Sequence, residues 1–158
     1  LYCGQLVPFL RSNLNDNKCY FVDKDGYIFD EAPYFSGDVY FKFYGNVVLK
    51  NGNPSGSFFM KDNFARIVEF KDTLEKINLK PNAFWVDDNR KEGNFSLRGE
   101  PLSGPRVMFK MDSDYKKLAE NLQAAISIEP LHTDIKTKLS SLLYLDLRFG
   151  NKVYYKFQ

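Results

Sequence analysis

Histidine is nearly missing from this 158-residue sequence, where His132 is the only one. With one imidazole and neither G-x-S-x-G nor C-x-x-C anywhere, no serine or cysteine sits in a recognisable nucleophile setting. G-x-G-x-x-G and G-x-x-x-x-G-K-[ST] are also absent, so nothing marks a phosphate-cradling loop. No apolar run nears the ~20 residues that cross a bilayer, and no signal peptide opens the chain. The sequence starts at Leu1 without Met, inside what reads as a strand, and is expected to be a fragment of a longer protein. Charge of one sign is lacking as well. With 22 basic against 20 acidic residues, the net +2 argues against nucleic acid or an acidic membrane surface as partner.

Cysteine is scarce, with Cys3 and Cys19 only. Cys3 ends a short strand-like stretch and Cys19 opens another. Two readings stay open: a pair of small buried hydrophobes, or a disulfide between neighbouring strands, which would place the domain in an oxidising, extracytoplasmic compartment.

Aromatics are abundant. Fifteen Phe, ten Tyr and one Trp make 16% of the chain, and such side chains favour pleated, half-buried surfaces. Hydrophobic content of 44% with 27% charge is that of a folded chain, here read as one domain over residues 1–158.

The periodicity changes several times. Cys19 to Asp30 reads as a hairpin turning at Asp25-Gly26, and Asp38 to Tyr44 alternates as a third strand. Phe64, Ile67, Val68, Lys71, Leu74 and Ile77 follow helical spacing, with Asp62 as the expected cap. Three strands follow at Ala83 to Val86, Asn94 to Arg98 and Arg106 to Met111. A second helix is expected from about Asp114 to Ile126, capped by Asp112 or Ser113, burying Tyr115, Leu118, Ala119, Leu122 and Ile126. A short third helix covers Ile135 to Leu142. The fold class is therefore α+β, a mixed or antiparallel sheet with two to three packed helices and a terminal β-hairpin.

Candidate chemistry is thin. Asp23-x-Asp25-Gly26 partly matches a calcium loop, but its glycine falls at position 4 rather than 6 and no acidic residue completes the spacing. Asp87-Asp88 lies in a turn composition, and Phe84 and Trp85 read as core. No cofactor, metal site, nucleic acid or small-molecule substrate is expected, and the chain reads as a binding module rather than an enzyme.

Its most informative stretch is Tyr144 to Phe157. Leu145, Leu147 and Phe149 alternate with Tyr144, Asp146 and Arg148, and Val153, Tyr155 and Phe157 alternate with Lys152, Tyr154 and Lys156. A three-residue loop of Gly150, Asn151 and Lys152 pairs Phe149 with Val153, Leu147 with Tyr155 and Leu145 with Phe157. That register keeps all apolar residues on one face and is the expected one. As a chain-terminal strand, Lys152 to Phe157 would have a covalent neighbour on one side only, leaving its other edge for a cover or a partner.

CYFVDKDGYIF near the start resembles the "VDxDGxxF" hairpin that opens the extracytoplasmic β-domain of the FtsQ/DivIB cell division family. YLDLRFGNKVYYKF resembles the hairpin that closes it, and the intervening element order is similar, so the resemblance spans nearly the whole chain. It implies a non-enzymatic divisome scaffold at the septum, anchored in the cytoplasmic membrane by one upstream helix, with a POTRA domain before this one. It also implies recruitment of FtsB/FtsL-like partners by an added strand, a site that falls on Phe149, Gly150, Asn151, Lys152, Val153, Tyr154, Tyr155, Lys156 and Phe157. The turn Gly150-Asn151-Lys152 and the cysteine pair depart from the family's usual pattern. The competing expectation is a structural ectodomain of a surface or secretion protein whose terminal hairpin is covered.

Overall fold

The structure, a computed structural model, describes residues 1–4, 18–33, 35, 39–99 and 104–158. Its elements run β1 (Cys19–Val22), β2 (Ile28–Ala32), β3 (Lys42–Tyr44), α1 (Phe64–Lys76), β4 (Ala83–Val86), β5 (Glu92–Ser96), β6 (Arg106–Lys110), α2 (Tyr115–Ile126), α3 (Leu131–Lys138), β7 (Leu142–Phe149) and β8 (Lys152–Phe157). The class is α+β. Strands β3 to β8 lie side by side in chain order, and β1–β2 form a separate antiparallel hairpin.

Four of the junctions between neighbouring strands are antiparallel, while β3–β4 and β6–β7 are parallel. Parallel neighbours need a crossover, and α1 serves the first pair, α2 with α3 the second. Both crossovers start from strands of like direction and step the same way along the sheet. With the usual right-handed connection, both must land on the same face. The contact between α1 and α2 agrees, and α2 also reaches β8. One sheet face is thus covered by helices, and among the described residues no helix lies on the other.

Residues 1–4 join the two sheets. Tyr2 exchanges both backbone hydrogen bonds with Tyr20 of β1, at 2.9 and 2.7 Å. On its other side this segment runs parallel to β3, with Phe43 donating to the Leu1 carbonyl and Cys3 donating to the Phe43 carbonyl. An antiparallel pair that exchanges two bonds at Tyr2/Tyr20 sets the next pair, Cys3/Cys19, directly opposite at the closer spacing of such ladders. The two cysteines are disulfide-bonded there, with Cα atoms 4.2 Å apart. Of the two readings open for the cysteines, the bridge is the one realised.

The core lies between the helices and the covered face. Phe43, Phe84, Phe95, Val107 and Leu145 are successive cross-strand partners, all buried. Above them α1 lays down Phe64, Ile67, Phe70 and Leu74, and α2 lays down Tyr115, Leu118 and Leu122. Phe70 meets Phe95, Phe109 and Tyr115 with centroids 5.2–5.7 Å apart, within the range of favourable edge and offset geometries. Ala119 and Ile126, expected in this core, are only half-buried against it.

Several local readings are corrected. Asn63, not Asp62, stands at the α1 N-cap, and its side chain accepts from Arg66 rather than from the backbone. The buried stripe uses Phe70 in place of Val68 and Lys71; the Lys71 ammonium instead pairs with Asp72 and Glu75, each at 2.9 Å. Helix α2 is capped by Asp114, whose carboxylate accepts from the N–H groups of Lys116 and Lys117. α3 starts four residues earlier than expected, and Leu142 already belongs to β7. β5 lies two residues earlier, at Glu92–Ser96. Of the strand expected over Asp38 to Tyr44, only Lys42–Tyr44 pairs, and Asp38 lies outside the described residues.

The first hairpin turns where expected. The Asp23 carboxylate accepts from the N–H groups of Asp25 and Tyr27, both at 2.9 Å, and so shapes the turn, while the Asp25 carboxylate pairs with Lys24. Gly26 has φ +83°, and a Cβ there would lie 2.5 Å from the Phe59 carbonyl oxygen.

Two stability measurements follow from this packing. Replacing Leu122, which is fully buried, with Ala is expected to cost about 2–5 kcal/mol in urea unfolding through lost transfer energy and the cavity left behind. Opening the Cys3–Cys19 bridge, which spans 16 residues, is expected to cost about 3 kcal/mol in the chain-entropy account, read as a lower melting temperature under reductant.

Candidate functional site

The terminal hairpin forms because two alternating segments flank a turn that glycine permits. Gly150 has φ +65° while Asn151 is not in the left-handed region, the pattern of a II′ turn. Phe149 and Lys152 face each other across this two-residue turn. The three-residue loop expected from the apolar pattern is therefore corrected. Beyond the turn, Asp146 pairs with Tyr154 and Leu145 with Tyr155, so Leu147 and Arg148 together oppose Val153 alone. This is a β-bulge in β7. A second irregularity, at Leu143, lets Tyr144 face Lys156 and Leu142 face Phe157.

The bulge decides where side chains go. Leu145 and Leu147 are buried, but Phe149, next in the same alternation, is 55% exposed. Its ring meets Tyr154 edge to face, with centroids 5.3 Å apart. Tyr154 is the cross-strand neighbour of Asp146 on the uncovered sheet face, so Phe149 has left the face of Leu145.

Beside this aromatic pair lies an ion cluster that the sequence reading missed. Asp146, buried, accepts from Arg148 Nε at 2.9 Å, Arg148 Nη2 at 2.7 Å and the Arg148 backbone N–H at 3.1 Å. Arg148 Nη1 reaches both carboxylate oxygens of Glu92 on β5, at 3.0 and 2.9 Å. Burial by itself would raise the Asp146 pKa, but the hydrogen bonds and charge of Arg148 outweigh it and hold the carboxyl below its usual range. The same contacts raise the Arg148 guanidinium. Asp146 and Arg148 stand two apart on one strand face, a detectable signal; Glu92 is 56 residues from Arg148 and is not.

Strand β8 is the last of the six-stranded sheet, with β7 on one side. Among the described residues no backbone group pairs with it from the other side. Gly150, Asn151, Lys152, Tyr154, Tyr155 and Lys156 are exposed, whereas Val153 and Phe157 are half-buried against the core. Tyr155 stacks edge to face on Phe157, at 6.0 Å. The candidate residues are thus gathered on one edge, presenting Phe149 and Tyr154 on the uncovered face and Tyr155 at the rim of the helical one. At the far end a groove of about 260 Å³ is lined by Arg98, Arg106, Tyr144 and Gln158.

The other sequence candidates serve structure. Asp87 accepts from the N–H groups of Lys91 and Glu92, closing the β4–β5 turn. His132 uses both ring nitrogens, one with the Ile126 carbonyl oxygen and one with Lys136. Phe84 is buried and Trp85 half-buried in β4. Among the described residues no three His, Cys, Asp or Glu side chains gather as a metal site, and no helix is long and apolar enough to cross a membrane. No protein-family model matches the chain, and no curated protein matches it.

The ion cluster has a pH signature. A carboxyl whose folded pKa is depressed contributes stability that is fully present above its unfolded value of 3.8 and is lost as pH falls through the folded value. Asp146→Asn is expected to lose about 1.5–3 kcal/mol at pH 7, the range of hydrogen bonds to charged groups, with the deficit shrinking below pH 3.8 in parallel acid-unfolding curves.

Proposed function

We propose that this chain is the extracytoplasmic β-domain of an FtsQ/DivIB-like cell division protein. In this reading it is a scaffold without catalytic activity, held at the septum by a membrane helix elsewhere in the parent protein. It binds FtsB/FtsL-like partners by accepting a strand along β8. The observation that carries the reading is the open edge of β8 with large aromatic side chains beside it. An unpaired edge supplies a ladder of N–H and C=O groups to any extended segment, which gives affinity without selectivity. Phe149, Tyr154 and Tyr155 supply the selectivity, because aromatic anchors dominate interface energetics. Lys152 and Lys156 favour an acidic segment. The resemblance of the two terminal motifs to the FtsQ/DivIB β-domain supplies the partner class.

Tyr154 offers the cleaner test, being 48% exposed and outside the core. Tyr154→Ser, which sets no second carboxylate opposite Asp146, is expected to change the melting curve little and to reduce capture of the FtsB/FtsL-like pair at least tenfold in pull-down. Undiminished capture would move the docking site away from β8.

A further inference from the structure

The outward pose of Phe149 needs a cause, because apolar alternation opposes it. Period 2 in β7 puts Phe149 with Leu145 and Leu147, and period 2 in β8 puts Val153 with Tyr155 and Phe157. An unbulged hairpin with Phe149 opposite Val153 would satisfy both patterns and turn Phe149 to the core side. The observed hairpin instead sets Phe149 opposite Lys152 and leaves it exposed. Something must outweigh the apolar burial that is given up.

The ion cluster is placed to do so. The Arg148 backbone N–H donates to the Asp146 carboxylate at 3.1 Å, a contact that spans the extra residue of the bulge. The Arg148 side chain then closes on the same carboxylate through Nε and Nη2, and Nη1 ties the strand to Glu92 on β5. The guanidinium also lies beside the Phe149 ring, 5.8 Å from its centroid. Asp146 is buried, so separating it from Arg148 would strand a charge.

We propose that Asp146, Arg148 and Glu92 form a register lock. They hold β7 and β8 in the bulged register and so display the Phe149–Tyr154 pair. Without them the bulge is lost and β8 slips along β7, by two residues at Leu145 and by one at Phe149, to the register that the apolar pattern favours, with Leu145 opposite Phe157 and Phe149 opposite Val153. The three are positioning residues; that the displayed pair contacts a partner rests on the function proposed above.

The register is read by cross-strand nuclear Overhauser effects in the isolated chain. Wild type is expected to show Leu145–Tyr155 and Phe149–Tyr154 contacts. Arg148→Met, which keeps most of the stem and removes the charge, is expected to lose both and gain Leu145–Phe157 and Phe149–Val153. Arg148→Lys, with one ammonium in place of a fork, is expected to restore the wild-type contacts only in part. Retention of the wild-type contacts in Arg148→Met overturns the lock. Should that variant unfold, Glu92→Gln decides, since Glu92 is the more exposed partner. A second set of hairpin resonances with a Phe149–Val153 contact supports the lock, and a single wild-type set overturns it. Partner capture by the same variants separates the two ideas. A moved register with undiminished capture keeps the lock and removes the Phe149–Tyr154 pair from the docking surface.

Discussion

Tyr2 holds the architecture together through its backbone. It is bonded on one side to Tyr20 and its segment is bonded on the other to β3, so a two-stranded hairpin and a six-stranded sheet become one continuous ladder. Its side chain completes the joint: the ring packs on Phe59 and the hydroxyl donates to the Gly45 carbonyl at 2.9 Å. Burial pushes the phenol pKa up to about 12, so it stays a donor at any ordinary pH. The disulfide beside it fixes the same strand pair covalently. From this joint a single row of cross-strand partners crosses the molecule, from Tyr20 through Tyr2, Phe43, Phe84, Phe95, Val107 and Leu145 to Tyr155.

That row explains why the candidate site lies where it does. Its interior members are buried under α1 and α2, and its last member, Tyr155, is exposed, with no further strand beside β8 among the described residues. The opposite face carries a second row, Tyr44, Trp85, Asn94, Met108, Asp146 and Tyr154, with no helix above it among the described residues. An ion cluster can persist there because its three members satisfy one another, and Arg148 is shared between two carboxylates rather than committed to one.

What could be read from the sequence was what depends on short-range pattern. The element order, the faces of α2 through Tyr115, Leu118 and Leu122, the Asp25-Gly26 turn and the terminal edge strand all follow from spacing within a dozen residues. Where reading failed, the deciding partner was distant or the chemistry competed with the pattern. Phe59, fully buried, sits in a glycine-rich connection without periodicity, and its neighbours Tyr2, Phe43 and Phe84 come from three other segments. Apolar alternation alone points to a different hairpin register, whereas charge pairing and a positive φ at Gly150 set the turn and the bulge.

The lysines of β8 also limit what the open edge can pair with. If two copies met edge to edge across a two-fold axis at Tyr154, Lys152 of each would stand directly opposite Lys156 of the other. Both side chains are exposed, so two like-charged cross-strand pairs would form with nothing between them to neutralise them. A foreign strand carries no such symmetry and can place acidic or neutral residues at those positions. In that register the edge repels its own copy, a form of self-avoidance that disfavours this symmetric pairing of the exposed strand.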